Sequence, residues 1–142
     1  MSLGNLTPRA VATSYGELAF WSRPEIYDSD KPVVLAIAGM FSPADDLVNL
    51  PNDLGLLVDA CIMRMPGGGA PLLNRSDLAT VAAAVGEAIA AVFNDRPVML
   101  FGVSIGATVA LAVRAPNLAR VLAVEPILAT GHLWPIAEPL RR

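Results

Sequence analysis

The chain is poor in cysteine, histidine and charge, and each shortage removes a class of function. Cys61 and His132 are the single cysteine and the single histidine in 142 residues. One cysteine excludes an internal disulfide and points to a reducing compartment. One histidine and one cysteine cannot assemble a zinc site, and the carboxylates show no ligand spacing, so neither a metal nor another cofactor is expected. Charged residues make up only 16% of the chain and the formal net charge is −3. The ten Lys and Arg are scattered except for Arg141 and Arg142. That excludes the basic patch a nucleic-acid partner would demand. The N-terminal stretch MSLGNLTPRAVATSYGEL has no basic start leading into an apolar core. It therefore does not read as a secretory signal, and the cytoplasm is the expected location.

What the chain has in quantity is apolar residues, 54% of the total. A chain of this length is a prior for one domain with a real core, and so much apolar matter suits a sheet covered on both faces. Residues Ala10 to Ser22 read as a hairpin turning near Tyr15-Gly16. VVLAIAG (Val33 to Gly39) is a continuous β-branched and apolar run, as expected of a strand buried on both sides. Ser42, Pro43, Asp45 and Asp46 then predict a short capped helix ending near Pro51. LLVDACIM (Leu56 to Met63) predicts a strand with Cys61 as a small buried hydrophobe. PGGGAP breaks the chain. A helix follows from a Ser76 cap, with Leu78, Val81, Val85, Ile89 and Val92 on one stripe. VMLF is a strand, ATVALAVRA a buried helix and RVLAVEPIL a last strand. The order is hairpin, then β, α, β, α, β, α, β. That alternation with short connections makes a mostly parallel sheet whose sites lie beyond the carboxyl ends of the strands.

The most informative stretch is PVMLFGVSIGATVALAV, where Ser104 stands between Gly102 and Gly106. Three readings compete. A membrane span would use the apolar length and the G-x-x-x-G spacing, but the run is short and interrupted by Ser104 and Thr108. A P-loop needs a lysine after its last glycine, where Ala107 stands, and the dinucleotide spacing G-x-G-x-x-G is not present. The third reading is a serine raised as a nucleophile. A sharp strand-to-helix turn needs very small neighbours on both sides, and the following helix offers the Ile105 N–H and a favourable dipole to an oxyanion.

With an apolar strand before it and a small-residue helix after it, GVSIG resembles the nucleophile elbow of the α/β-hydrolase superfamily. VVLAIAGM resembles the family's strand and oxyanion loop, RMPGGGAP its loop after the next strand, and the Tyr15-Gly16 hairpin its opening. The resemblance implies a three-layer α/β/α sandwich with a mostly parallel sheet and an N-terminal hairpin. Residues 1–142 would be a single domain, truncated after the strand that follows the elbow. It also implies an acyl-enzyme at Ser104, with the N–H groups of Ile105 and Met40, the latter after Gly39, binding the oxyanion of a small-molecule acyl substrate. Ala38-Gly39 stands where the family usually has His-Gly, which removes no donor because the donor is backbone.

The family places its acid and histidine after later strands. Here a single strand and a tail follow the elbow. A serine without a base within reach is a poor nucleophile. His132 is therefore the critical residue. It reads either as the general base, oriented by Glu125, or as a loop residue between a glycine and leucine-tryptophan. Glu125 correspondingly reads as the acid or as a strand-end loop residue before Pro126. The chain is expected either to belong to a longer enzyme that supplies both groups or to have lost catalysis. In the second case it would be a scaffold, and the exposed sheet edge would invite a homo-oligomer. Of the remaining polar residues, Asp59 needs a partner and Arg64 reads as a solvated strand end or a ligand for a substrate carboxylate. Trp21 reads as a packing residue; Trp134 reads the same way or as the wall of an acyl pocket.

Overall fold

The computed structural model describes residues 5–39, 47, 49–54 and 57–127. The side chains of residues 51 and 52 are not among those described. Six strands form one sheet: β1 (Thr7–Thr13), β2 (Gly16–Ser22), β3 (Val33–Ile37), β4 (Asp59–Met63), β5 (Val98–Val103) and β6 (Leu118–Val124). Their spatial order is β1-β2-β4-β3-β5-β6. The hairpin β1–β2 joins antiparallel to β4, and β4, β3, β5 and β6 run parallel. Among the described residues a 3-10 helix spans Pro24–Asp28, and the α-helices are a single turn, α1 (Leu50–Asp53), then α2 (Leu78–Phe93) and α3 (Ile105–Ala112).

The expected elements form, with shifted ends. β3 is buried at all five positions, as a strand covered on both faces must be. Its odd residues Val33, Leu35 and Ile37 join the main core with Leu18, Phe20, Cys61, Met63, Val98 and Leu100. Val81, Val85 and Ile89 of α2 and Ile105, Val109 and Ala110 of α3 pack into the same core. Ala36, Ala38 and Ile62 face the other way, against Leu6, Leu47, Leu50, Trp21 and Phe101. Phe93 ends α2 fully buried and stacks on Phe20, with ring centroids 6.2 Å apart.

α2 starts one residue later than the Ser76 cap implied. Asp77 is the N-cap in extended conformation, and its Oδ1 accepts from the Thr80 N–H at 2.8 Å. The carboxylate, one residue on, holds the geometry that the Ser76 hydroxyl was expected to hold. Of the strand predicted over Leu56 to Met63, Leu57 and Val58 do not join the sheet and β4 begins at Asp59, while Leu56 lies outside the described residues. The predicted cap at Ser42, Pro43, Asp45 and Asp46 lies outside the described residues.

Asp59 finds its partner at the amino ends of the strands, the edge opposite Ser104. Arg96 Nη2 lies 2.6 Å from Asp59 Oδ2. Its Nη1 donates to the Ile26 carbonyl at 2.6 Å and its Nε to the Lys31 carbonyl at 2.8 Å. One guanidinium thus ties β4 to the segment between β2 and β3.

Candidate active site

The elbow is tighter than the sequence suggested. β5 runs on through Gly102 and Val103, and α3 begins at Ile105, so the reversal falls on Ser104 alone. Its backbone sits at φ 56°, ψ −123°, a region few non-glycine residues adopt. The surroundings impose it. Ser104 N–H donates to the Val124 carbonyl at 3.0 Å, and its own carbonyl accepts from Ala107 N–H at 3.0 Å and Thr108 N–H at 3.2 Å.

Both glycines are needed for contact reasons. A Cβ at Gly102 would lie 2.5 Å from the Gly106 carbonyl oxygen and 2.6 Å from Ala107 Cα and from Ala107 N. A Cβ at Gly106 would run into the Ile37 carbonyl oxygen and lie 2.9 Å from that of Ala38. The glycines therefore let α3 rest directly on β5 and β3.

The chemical consequence is local. Ser104 makes no side-chain capping bond, so its Oγ is not committed to the helix. The residue is half-buried at the carboxyl edge of the sheet. The N–H groups of Ile105 and Gly106 belong to the first turn, where no helical carbonyl can reach them, and the helix dipole adds partial positive charge there. Cys61 is the small buried hydrophobe expected of it: it is fully buried, and burial pushes its thiol up, away from the thiolate form.

The remaining candidates divide between inside and outside the described residues. Gly39 is described and buried at the end of β3, beside the elbow's strand. Met40, His132 and Trp134 lie outside the described residues. Glu125 is described: it is exposed, follows β6 directly and has φ 50°. The Ser104–Val124 hydrogen bond brings its backbone next to the elbow. No hydrogen bond joins the Glu125 and Ser104 side chains among the described residues. Just beyond, Thr108 Oγ1 donates to the Ile127 carbonyl at 2.8 Å and accepts from the Ile127 N–H at 2.9 Å. That pair pins the chain after β6 to α3, and no local sequence signal announced it.

Arg64 is not a solvated strand end. It is 8% exposed, with its Cζ 5.4 Å from the Trp21 ring centroid. Among the described residues no group of three or more His, Cys, Asp and Glu could hold a metal ion, and no helix is long and apolar enough to cross a membrane.

No protein-family profile and no curated protein matches the sequence. Solved structures do match. AbyA5 superposes with a TM-score of 0.71 at 19% identity, over 94% of this chain and 40% of its own. Carboxylesterase CesB (YbfK) from Bacillus subtilis superposes with a TM-score of 0.66 at 17% identity, over 85% of this chain and 43% of its own. A protein described as an α/β-hydrolase fold protein of unknown function superposes at 0.59 and 21% identity, over 83% and 42%. The chain thus spans less than half the length of each.

Proposed function

Because this chain has the α/β-hydrolase fold, we propose that it is a serine hydrolase cleaving an ester, thioester or related acyl bond. Ser104 Oγ passes its proton to a base and attacks the acyl carbon, the leaving group departs with that proton, and water then cleaves the acyl-enzyme to the free acid and restores the serine. The N–H groups of Ile105 and Met40 receive the oxyanion, with Gly39 giving the backbone room. The observation that carries this reading is the backbone of Ser104. A strained serine with an uncommitted hydroxyl, closed in by two glycines that tolerate no Cβ, is costly to maintain and suits an exposed nucleophile. The hydrolase fold of the superposed structures agrees with it.

The base is assigned to His132 with Glu125 orienting it, or to residues of a longer natural chain. The reaction would proceed in the cytoplasm, consistent with one buried, unpaired Cys61. The test is intact-mass spectrometry of the protein from its natural gene, with and without a fluorophosphonate probe. A single adduct on wild type and none on Ser104→Ala is the expected result. Comparing His132→Ala then separates the two sources of the base. An unlabelled wild type refutes the hydrolase reading.

A second reading rests on β6. Among the described residues β6 pairs on one side only, with β5, and its Val121, Leu122 and Val124 are 36%, 53% and 39% exposed. An unprotected edge of this kind invites another strand, so the domain would act as a scaffold whose copies pair through β6. Sedimentation that shows a dimer in wild type and a monomer in Leu122→Lys supports it. Monomeric wild type removes it.

A further inference from the structure

Arg64 is a charged side chain that neither the core nor the proposed reaction uses. It follows β4 at the carboxyl edge of the sheet. Its Nε is fully buried and has no hydrogen-bond partner among the described residues. The indole Nε1 of Trp21 is buried and unpartnered in the same way. Trp21 pairs with Ile62 across β2 and β4, and Arg64 is two residues beyond Ile62, so the two side chains share one face. The loop after Arg64 is shaped around the guanidinium. Gly69 has φ 96°, and a Cβ there would come within 3.0 Å of Arg64 Nη1. A buried guanidinium Nε–H without an acceptor is unfavourable, and so is a buried indole N–H without one. Both donors call for the same complement, an acceptor carrying negative charge.

The position of this pair decides what the anion belongs to. Met63 of β4 and Gly102 of β5 both pair with Ile37 of β3. Arg64 and Ser104 therefore leave the sheet at the same edge, two strand spacings apart, or about 10 Å. The guanidinium turns toward β2, away from Ser104, so a group held there lies roughly 10–15 Å from the acyl carbon. We propose that Arg64 and Trp21 bind the terminal carboxylate of the substrate's acyl chain, so that the preferred substrates are half-esters of medium-length dicarboxylic acids. This rests on Ser104 being the nucleophile. One guanidinium and one indole N–H suit a monoanionic carboxylate, whereas a phosphate dianion would need more donors. The span corresponds to a chain of roughly eight to twelve carbons.

The experiment uses mono-p-nitrophenyl esters of linear dicarboxylic acids from succinate to dodecanedioate, beside neutral p-nitrophenyl alkanoates of matching length. In wild type, kcat/KM should favour the acid esters by about tenfold or more in the middle of the series, with little preference at succinate. Arg64→Met should abolish that preference and leave the neutral esters within about twofold, with circular dichroism reporting on its folding. Trp21→Phe removes the indole donor while keeping an aromatic ring beside Arg64, and should weaken the preference severalfold, which keeps the test decisive where Arg64→Met does not fold. Calorimetry with free sebacate and the Ser104→Ala protein reads the site without turnover. Sebacate binding that is lost in Ser104→Ala/Arg64→Met supports the site even where wild type takes no fluorophosphonate; only the hydrolase reading then falls. Fluorophosphonate labelling with no sebacate binding and no preference among the esters overturns the carboxylate site alone.

Discussion

The substitution Gly102→Ala tests the packing that raises Ser104. The added Cβ meets three backbone atoms of one helix, the Gly106 oxygen at 2.5 Å and Ala107 Cα and N at 2.6 Å. Ordinary contact begins near 3.5 Å, so β5 and α3 must separate by about 1 Å. No side chain can rotate away, because every opposing atom is backbone in a regular helix. Overpacking of this kind costs about 1–3 kcal/mol, and the rigidity of the contact places it at the upper end. Alanine returns about 0.5 kcal/mol by restricting the unfolded chain. The net expected loss is about 2 kcal/mol, measurable as a shift in the urea midpoint without a change in slope. The same separation moves the Ile105 N–H relative to Ser104 Oγ, and a displacement of about 1 Å lowers the rate of fluorophosphonate labelling by about 100-fold. Wild-type stability together with wild-type labelling in Gly102→Ala would refute the reasoning. Lost stability with unchanged labelling would separate the packing from the nucleophile and remove the link between them.

Other perturbations read other parts of the molecule. Ser104→Gly relieves a backbone at φ 56° and forfeits no capping bond. It should raise stability by about 1 kcal/mol by urea unfolding while abolishing labelling. Arg96→Met leaves Asp59 without its partner in a site where the two side chains are 14% and 13% exposed. A loss of about 3 kcal/mol is expected, with labelling of the folded fraction unchanged because the clamp is at the far edge of the sheet. Asp77→Ala removes the cap of α2. The Thr80 N–H, first, and then Arg75 hold the Asp77 carboxyl below its usual range. Its stabilisation is therefore complete above the unfolded value of about 4 and is lost as pH falls through the lower folded value. The gap in urea midpoint between wild type and Asp77→Ala should be constant from neutral pH to about 5 and close in stronger acid.

The sharp strand-to-helix turn at Ser104 was legible in the sequence because its causes are local. Gly102, Ser104 and Gly106 fall within five residues, and the collision that requires Gly102 is between β5 and the helix that directly follows it. The buried strand β3 was legible for a similar reason, since an unbroken β-branched run has one stable environment. The Ser76 cap missed by one residue because serine and aspartate both cap, and only the turn of the backbone decides between them. The sheet order decided what no local pattern contains. It brought Arg96 to Asp59 across 37 positions in sequence, fastened Ile127 to Thr108, and set Glu125 beside Ser104 through one hydrogen bond from a neighbouring strand. It also turned Arg64 from a strand-end residue into a buried cation stacked near Trp21. Periodicity can say that a residue ends a strand. Whether water or an indole waits there depends on which strand lies alongside, and that is settled only when distant segments pair.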